Sequence, residues 1–270
     1  MPELPEVETV VRDLRPLLVG QRIRAITPGA GKLRRPWQPA WEAGLIGQRF
    51  EALHRRGKWI LAHVGDSALL IHLGMTGQLT VQGPDVELAN HVHLRFLLGA
   101  GELRFRDIRR FGSIEWYATP GEVHALLDTK LGPEPFATQP APFATAIRSS
   151  ARPLKAILLD QAVVAGVGNI YADEALFRAR LHPRTLGKDV SEPKCELLRM
   201  AIIAVITKAI ESRGSTIRDY VGGSGLRGGF QHEFCVYGRT GEPCVVCGTS
   251  ISREVVAGRS SHTCPQCQNK

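Results

Sequence analysis

No apolar run in this chain approaches the length of a membrane span, which excludes a helical membrane protein as the starting expectation. The N-terminus lacks the basic-then-apolar order of a secretory leader, so a cytoplasmic protein is expected. Acidic residues are in short supply: 26 Asp and Glu face 34 Lys and Arg, for a net charge of +8. In a cytoplasmic protein that imbalance favours a polyanionic partner, although an inert basic surface would carry the same charge. Cysteine is scarce too, six residues in 270. Cys244, Cys247, Cys264 and Cys267 cluster, while Cys195 and Cys235 stand apart as ordinary small apolar residues. In a reducing compartment such a cluster points to metal rather than disulfides.

What is present is a globular composition, 43% hydrophobic and 22% charged, in a chain long enough for two cores. The pair Cys244-Val-Val-Cys247 and Cys264-Pro-Gln-Cys267 has the spacing of a four-thiolate zinc site. Four ligands close the tetrahedron, so one structural Zn2+ is expected. The intervening residues, with Ile251, Val255, Val256 and a turn at Gly258, read as a β-hairpin with Arg259 at its tip. Arg253 and Arg259 offer positive charge, but zinc ribbons bind DNA, RNA and protein alike.

The chain begins Met1-Pro2-Glu3-Leu4-Pro5-Glu6. If Met1 is removed, Pro2 presents a free secondary amine, which can attack an electron-poor sugar carbon and leave an already charged iminium. Glu3 beside it can move a proton. The same residues could merely stiffen a helix entry, with Glu3 and Glu6 facing its positive end. Val7, Val10, Val11, Leu14, Leu17 and Leu18 then fall at helical spacing, closed by Gly20.

From Ile23 to Tyr117, short alternating runs broken by glycine predict an antiparallel two-sheet sandwich with this helix packed on it. Leu103 and Phe105 share one strand face; Arg104 and Arg106 share the other, followed by Arg109-Arg110-Phe111-Gly112. A basic strip beside an aromatic suits phosphate contact and stacking, and suits a solvated strand face equally. A helix near Glu122–Leu127 leads to a proline-rich stretch read as a stiff linker.

Beyond it the pattern is helical. A helix opens at Ala151-Arg152-Pro153, Gly166-Val-Gly-Asn169-Ile-Tyr171 turns into the run Ala172–Arg180, and Ser191 caps a long helix ending at Gly214. The glycine turn fits two helices gripping DNA, or a plain helical hairpin. The glycines between Ser215 and Glu233 read as a mobile loop, a substrate lid or simple disorder.

The Pro-Glu start, Lys58 in a strand turn, Arg-Arg-Phe-Gly, Gly-Val-Gly-Asn-Ile-Tyr and a C-terminal four-cysteine finger occur here in one order. Together they resemble the formamidopyrimidine-DNA glycosylases, bifunctional glycosylases and AP lyases that remove oxidised purines. The resemblance implies an α+β fold. Its expected parts are a catalytic β-sandwich domain with its N-terminal helix (1–131), a linker (132–142), a helix-two-turns-helix domain with a Gly-rich lesion loop (143–234), and a zinc-finger hairpin (235–270). DNA would lie in the cleft between them.

It also implies roles for residues. Pro2 is expected to be the nucleophile at C1′, Glu3 the acid that helps open the sugar, Lys58 the β-elimination lysine, and Arg259 the phosphate grip linked to δ-elimination. His91, Arg110, Arg152 and Asn169 match backbone contacts; Met75, Arg109 and Phe111 match side chains filling the gap left by the extruded lesion. Lys155 and the Gly-rich loop match the parts that close on the flipped base. Ile108 departs from the proline found in many relatives. The implied partner is damaged double-stranded DNA, bound by a monomer. A pyrimidine-directed endonuclease VIII-like enzyme and a non-catalytic zinc-ribbon DNA-binding protein are the rival readings.

Overall fold

The computed structural model describes residues 2–29, 31, 33–83, 85–216 and 220–269. The chain folds as two compact units, one of Met1–Thr129 with Ser212–Gly229, the other of Lys130–Glu211 with Phe230–Lys270. The removal of Met1 concerns a residue outside the described ones.

In the first unit, helix α1 (Leu4–Leu18) has Pro5 in its first turn, where the missing N–H costs nothing. Leu4, Val7, Val10, Leu14 and Leu18 bury one face completely, each side chain contributing about 1.5–3 kcal/mol. Gly20, at φ +86°, then turns the chain into the sheets. The strands are β1 (Ala25–Pro28), β2 (Phe50–Arg56), β3 (Trp59–Val64), β4 (Ser67–His72), β5 (Gly77–Gln82), β6 (Val92–Leu97), β7 (Glu102–Asp107) and β8 (Ser113–Tyr117).

They form two antiparallel four-stranded sheets, ordered β1-β6-β7-β5 and β2-β3-β4-β8. Ile60, Ala62, Val64, Leu69 and Ile71 from one sheet meet Leu79, Leu94, Phe96, Leu103 and Phe105 from the other in a single core that also takes in α1. The expected sandwich is therefore present. Helix α2 (Pro120–Asp128) follows β8, with Val123 and Leu127 buried.

The strand arginines do not form a free basic strip. Arg104 is 7% exposed and donates to Glu102 and to the carbonyls of Val86 and Glu87. Arg106 donates to the Asn90 carbonyl and to Gln78. Both arginines brace the segment between β5 and β6, because backbone carbonyls leaving a strand need donors.

The Gly-rich segment departs further from expectation. Residues 212–216 and 220–229 pack on α1 within the first unit instead of the second. Asp13 accepts from Arg213 and Ser224, and the Tyr220 hydroxyl donates to the Glu6 carbonyl at 3.2 Å. A Cβ on Gly223 would lie 2.6 Å from Leu14 and 2.9 Å from the Val10 carbonyl. Glycine here allows close approach of two backbones as well as freedom of motion. The centre of the segment, 217–219, lies outside the described residues.

The second unit contains α3 (Pro140–Arg148), α4 (Leu154–Leu159), α5 (Asn169–Arg178), α6 (Glu192–Glu211), and the hairpin β9 (Ser252–Val256) and β10 (Arg259–Thr263). The proline stretch read as a linker is folded into this unit. Gly132 and Pro133 hydrogen-bond with Gln161 and Ala165, Pro135–Ala137 form a 3-10 turn, and Pro140 opens α3. Pro135 and Pro140 sit where a helix tolerates them, in first turns, rather than stretching a spacer. No helix among the described residues is long and apolar enough to cross a membrane.

Candidate functional site

At the N-terminus, Pro2 and Glu3 are buried ahead of α1. What holds them is Glu6. One of its carboxylate oxygens accepts the Glu3 backbone N–H at 2.9 Å; the other accepts the N–H and hydroxyl of Ser215 at 2.7 and 3.1 Å. Glu6 is therefore more than a partner of the helix dipole: it ties the first residues to the Gly-rich segment. The signal was its position three residues after the helix-starting residue, the spacing of a capping box.

Lys58 occupies the two-residue turn between β2 and β3. Gly57 precedes it at φ +57°, the conformation such a hairpin requires at its first turn position. Only 9% of Lys58 is exposed. His72 at the end of β4 has its pKa driven down to about 4, chiefly by burial and then by the charges of Lys58 and Arg35. The ring therefore stays neutral near pH 7, and its Nδ1 accepts the Gly74 N–H at 3.0 Å, setting the turn that carries Met75.

Asp107, wholly buried at the end of β7, organises the adjoining surface. Its carboxylate accepts from Thr76 Oγ1 at 2.5 Å, Arg109 N at 3.2 Å and Gly112 N at 2.7 Å, while its own N–H donates to the His91 carbonyl. A Cβ on Gly74 would lie 2.5 Å from Gly112 N, so the Met75 turn abuts the Arg109–Gly112 turn. The guanidinium of Arg109 stands 4.7 Å over the Phe111 ring. His91 and Arg110 are exposed at φ +67° and +58°, strained for residues other than glycine. One buried aspartate, through its carboxylate and its backbone N–H, thus brings together Met75, His91, Arg109, Arg110 and Phe111, which sequence spacing alone does not. Asp107→Ala strands three donors and should cost about 3 kcal/mol. We expect a lower thermal midpoint; a midpoint equal to that of the wild type would count against this role.

In the second unit the sulfur atoms of Cys244, Cys247, Cys264 and Cys267 all lie within 4.8 Å of one another. A tetrahedral Zn2+ with bonds of about 2.3 Å requires sulfurs about 3.8 Å apart. The Cys244–Cys267 and Cys247–Cys264 pairs, at 3.9 and 3.4 Å, fit that requirement. The N–H groups of Val246 and Cys267 point at the thiolate sulfurs of Cys244 and Cys264, as second-sphere donors do. The metal would have no open position, so its role is to fold the hairpin. Ala257 and Gly258, both at positive φ, make the two-residue turn, and the exposed Arg259 follows it.

Lys155 lies in the interior of the second unit. It is fully buried, ion-paired with Asp173, and donates to the Asn169 carbonyl at 3.0 Å. Asp173 in turn accepts from the backbone N–H of His262 on β10 at 3.1 Å, and the Asn169 side chain donates to the Ser260 carbonyl at 3.0 Å. A buried ammonium must be paired, and this one joins the start of α5 to the zinc hairpin. Next to Asp173, Glu174 accepts the backbone N–H groups of Cys235, Val236 and Tyr237; burial nevertheless pushes its pKa up. Gln268 completes the anchorage by donating to the Leu181 carbonyl. Arg152 lies at the surface with its guanidinium on Asp160 at 2.9 Å.

Three family models cover the chain: the formamidopyrimidine-DNA glycosylase N-terminal domain over residues 1–114, the formamidopyrimidine-DNA glycosylase H2TH domain over 131–221, and a zinc finger found in FPG and IleRS over 241–270. The chain belongs to the formamidopyrimidine-DNA glycosylase family. Relatives of that name from Halalkalibacterium halodurans and Geobacillus kaustophilus are 43% and 45% identical, each alignment covering 99% of this chain and 100% of the relative. Among solved structures, a point mutant of Lactococcus lactis FPG in complex with DNA containing Fapy-dG is 38% identical. It superposes at a TM-score of 0.93, with both chains covered completely. The L. lactis Fpg in complex with abasic-site DNA gives the same identity and score. The family's fold, with its sandwich, H2TH helices and four-cysteine finger, is the one described above.

Proposed function

We propose that this protein is a base-excision repair glycosylase that removes oxidised purines from duplex DNA as a monomer and then cuts the abasic strand. The observation that carries the reading is the burial of Pro2 and Glu3 ahead of α1, with the Glu3 backbone held by the Glu6 carboxylate. An amine on a frayed tail would have no fixed geometry; one held beside a carboxyl does.

The damaged nucleotide must leave the stack before C1′ can be reached, at a cost of a few kcal/mol. Met75, Arg109 and Phe111, on their joined turns, occupy the vacated space and so offset part of that cost. The Pro2 nitrogen attacks C1′ as the bond to the base breaks and the base departs with the electron pair. The proton on the Pro2 nitrogen passes to the departing base; Glu3 then protonates the ring oxygen as its bond to C1′ breaks and the nitrogen lone pair closes an iminium between Pro2 and C1′. Loss of a C2′ proton, with Lys58 assisting, expels the 3′ phosphate; a second elimination, to which Arg259 is linked, expels the 5′ phosphate. His91, Arg110 and Asn169 bind the backbone phosphates, and Arg152 joins them by exchanging Asp160 for DNA. Lys155 acts from the interior by positioning Asn169 and the hairpin. Zinc, held by the four cysteines, supplies no reactive chemistry and folds the hairpin that bears Arg259.

Excision compared side by side on duplexes containing 8-oxoguanine and thymine glycol tests the substrate class. We expect the oxidised purine to be released at least tenfold faster. Faster release of thymine glycol would assign the chain to the pyrimidine-directed branch instead.

A further inference from the structure

We propose that His54, His63 and His124 form a second cation site, one that takes a divalent transition ion such as Zn2+ through imidazole nitrogens. The site is separate from the residues assigned above to DNA chemistry. The β2–β3 register pairs Ala52 with His63 and His54 with Leu61, so His54 and His63 lie diagonally on one face of the sheet. That face is the outer one, because the alternate residues Ile60, Ala62 and Val64 point into the core. His124 comes from α2, next to the buried Val123.

The rings of His54 and His63 have centroids 5.1 Å apart, and those of His63 and His124 are 6.4 Å apart. Two imidazoles on one tetrahedral ion, with nitrogen–metal bonds of about 2.0–2.1 Å, place their centroids about 5 Å apart. The first pair already has that spacing. The second pair closes when the exposed His124 ring turns inward. Among the described residues only the four cysteines already converge, so the histidine site forms around its ion rather than standing ready.

A second observation points to a ligand. His63 Nε2 is buried and has no hydrogen-bond partner, and a buried ring nitrogen left unpaired is an unusual thing to keep. Burial, and then the proximity of His54 and His124, lowers the His63 pKa, so the ring is neutral and its lone pair available. Arg56, two residues along the same strand face, is directed to Asp128 at 4.0 Å. A set of three imidazole nitrogens suits zinc, copper or nickel and not the oxygen-seeking magnesium or calcium. A bound ion would fasten α2 to the hairpin whose turn carries Lys58.

The test uses the full chain with its cysteine site loaded, dialysed against buffered micromolar Zn2+. Metal per chain and the thermal midpoint are measured for the wild type, His54→Ala and His124→Ala. The wild type should hold a second equivalent and melt at a higher temperature when the ion is present. Each variant should keep the first equivalent, melt as the wild type does without added ion, and bind the second equivalent at least tenfold more weakly. A single equivalent in the wild type overturns the proposal, as does a second equivalent retained at wild-type affinity by either variant.

Discussion

Pro2→Gly should sharply lower the yield of the covalent adduct that borohydride traps between this protein and lesion-bearing DNA, and should slow excision by a factor on the order of a thousand or more. The reason lies in the nitrogen. A secondary amine condenses with C1′ to an iminium that is cationic without needing a proton. The primary amine of an N-terminal glycine gives an imine that must first be protonated to serve as the same electron sink. Glycine also frees the φ angle that the proline ring locks near about −65°, so the attacking atom loses part of its positioning. Protein that retains Met1 should fail in the same way, because Pro2 is then an amide. An adduct formed at full yield through a lysine in either case would remove Pro2 from the mechanism.

The second large effect is expected from Cys247→Ser. Structural zinc sites contribute about 10–16 kcal/mol of apparent binding free energy, and a hydroxyl is a poor replacement for a thiolate. The β9–β10 pair is an isolated two-stranded hairpin, a structure only marginally stable in water by itself. Its base is still held by Asp173 and Gln268; its tip, with Arg259, depends on the metal. Zinc should be lost and DNA affinity should fall on the order of a hundredfold at fixed salt, with a shallower salt dependence as a phosphate contact disappears. Mass spectrometry of the native protein and a salt titration of DNA binding would measure both. Undiminished affinity in the metal-free variant would separate the finger from DNA binding altogether.

Lys155 shows how little of a residue's surroundings its place in the chain reveals. Its position in the chain resembles that of a lysine near the flipped base, yet here it is buried against Asp173. The sequence shows a lysine in a helical stretch; it does not show that the partner eighteen residues later sits within reach of its ammonium. The Gly-rich segment misleads in the opposite direction. Its composition reads as mobility, whereas Gly223 is required by the nearness of Leu14 and the Val10 carbonyl.

The sequence by itself determined the elements, the zinc ligands, the family and the identity of the proposed nucleophile, because periodicity, cysteine spacing and motif order are local properties of a chain. It could not reveal that Glu6 would hold both Glu3 and Ser215, that Asp107 would gather two turns into one surface, or that Lys155 would be buried. Those depend on buried polar groups finding partners across long stretches of chain. Burial leaves such groups no water to bond with, and only the tertiary structure decides which distant donor or acceptor takes its place.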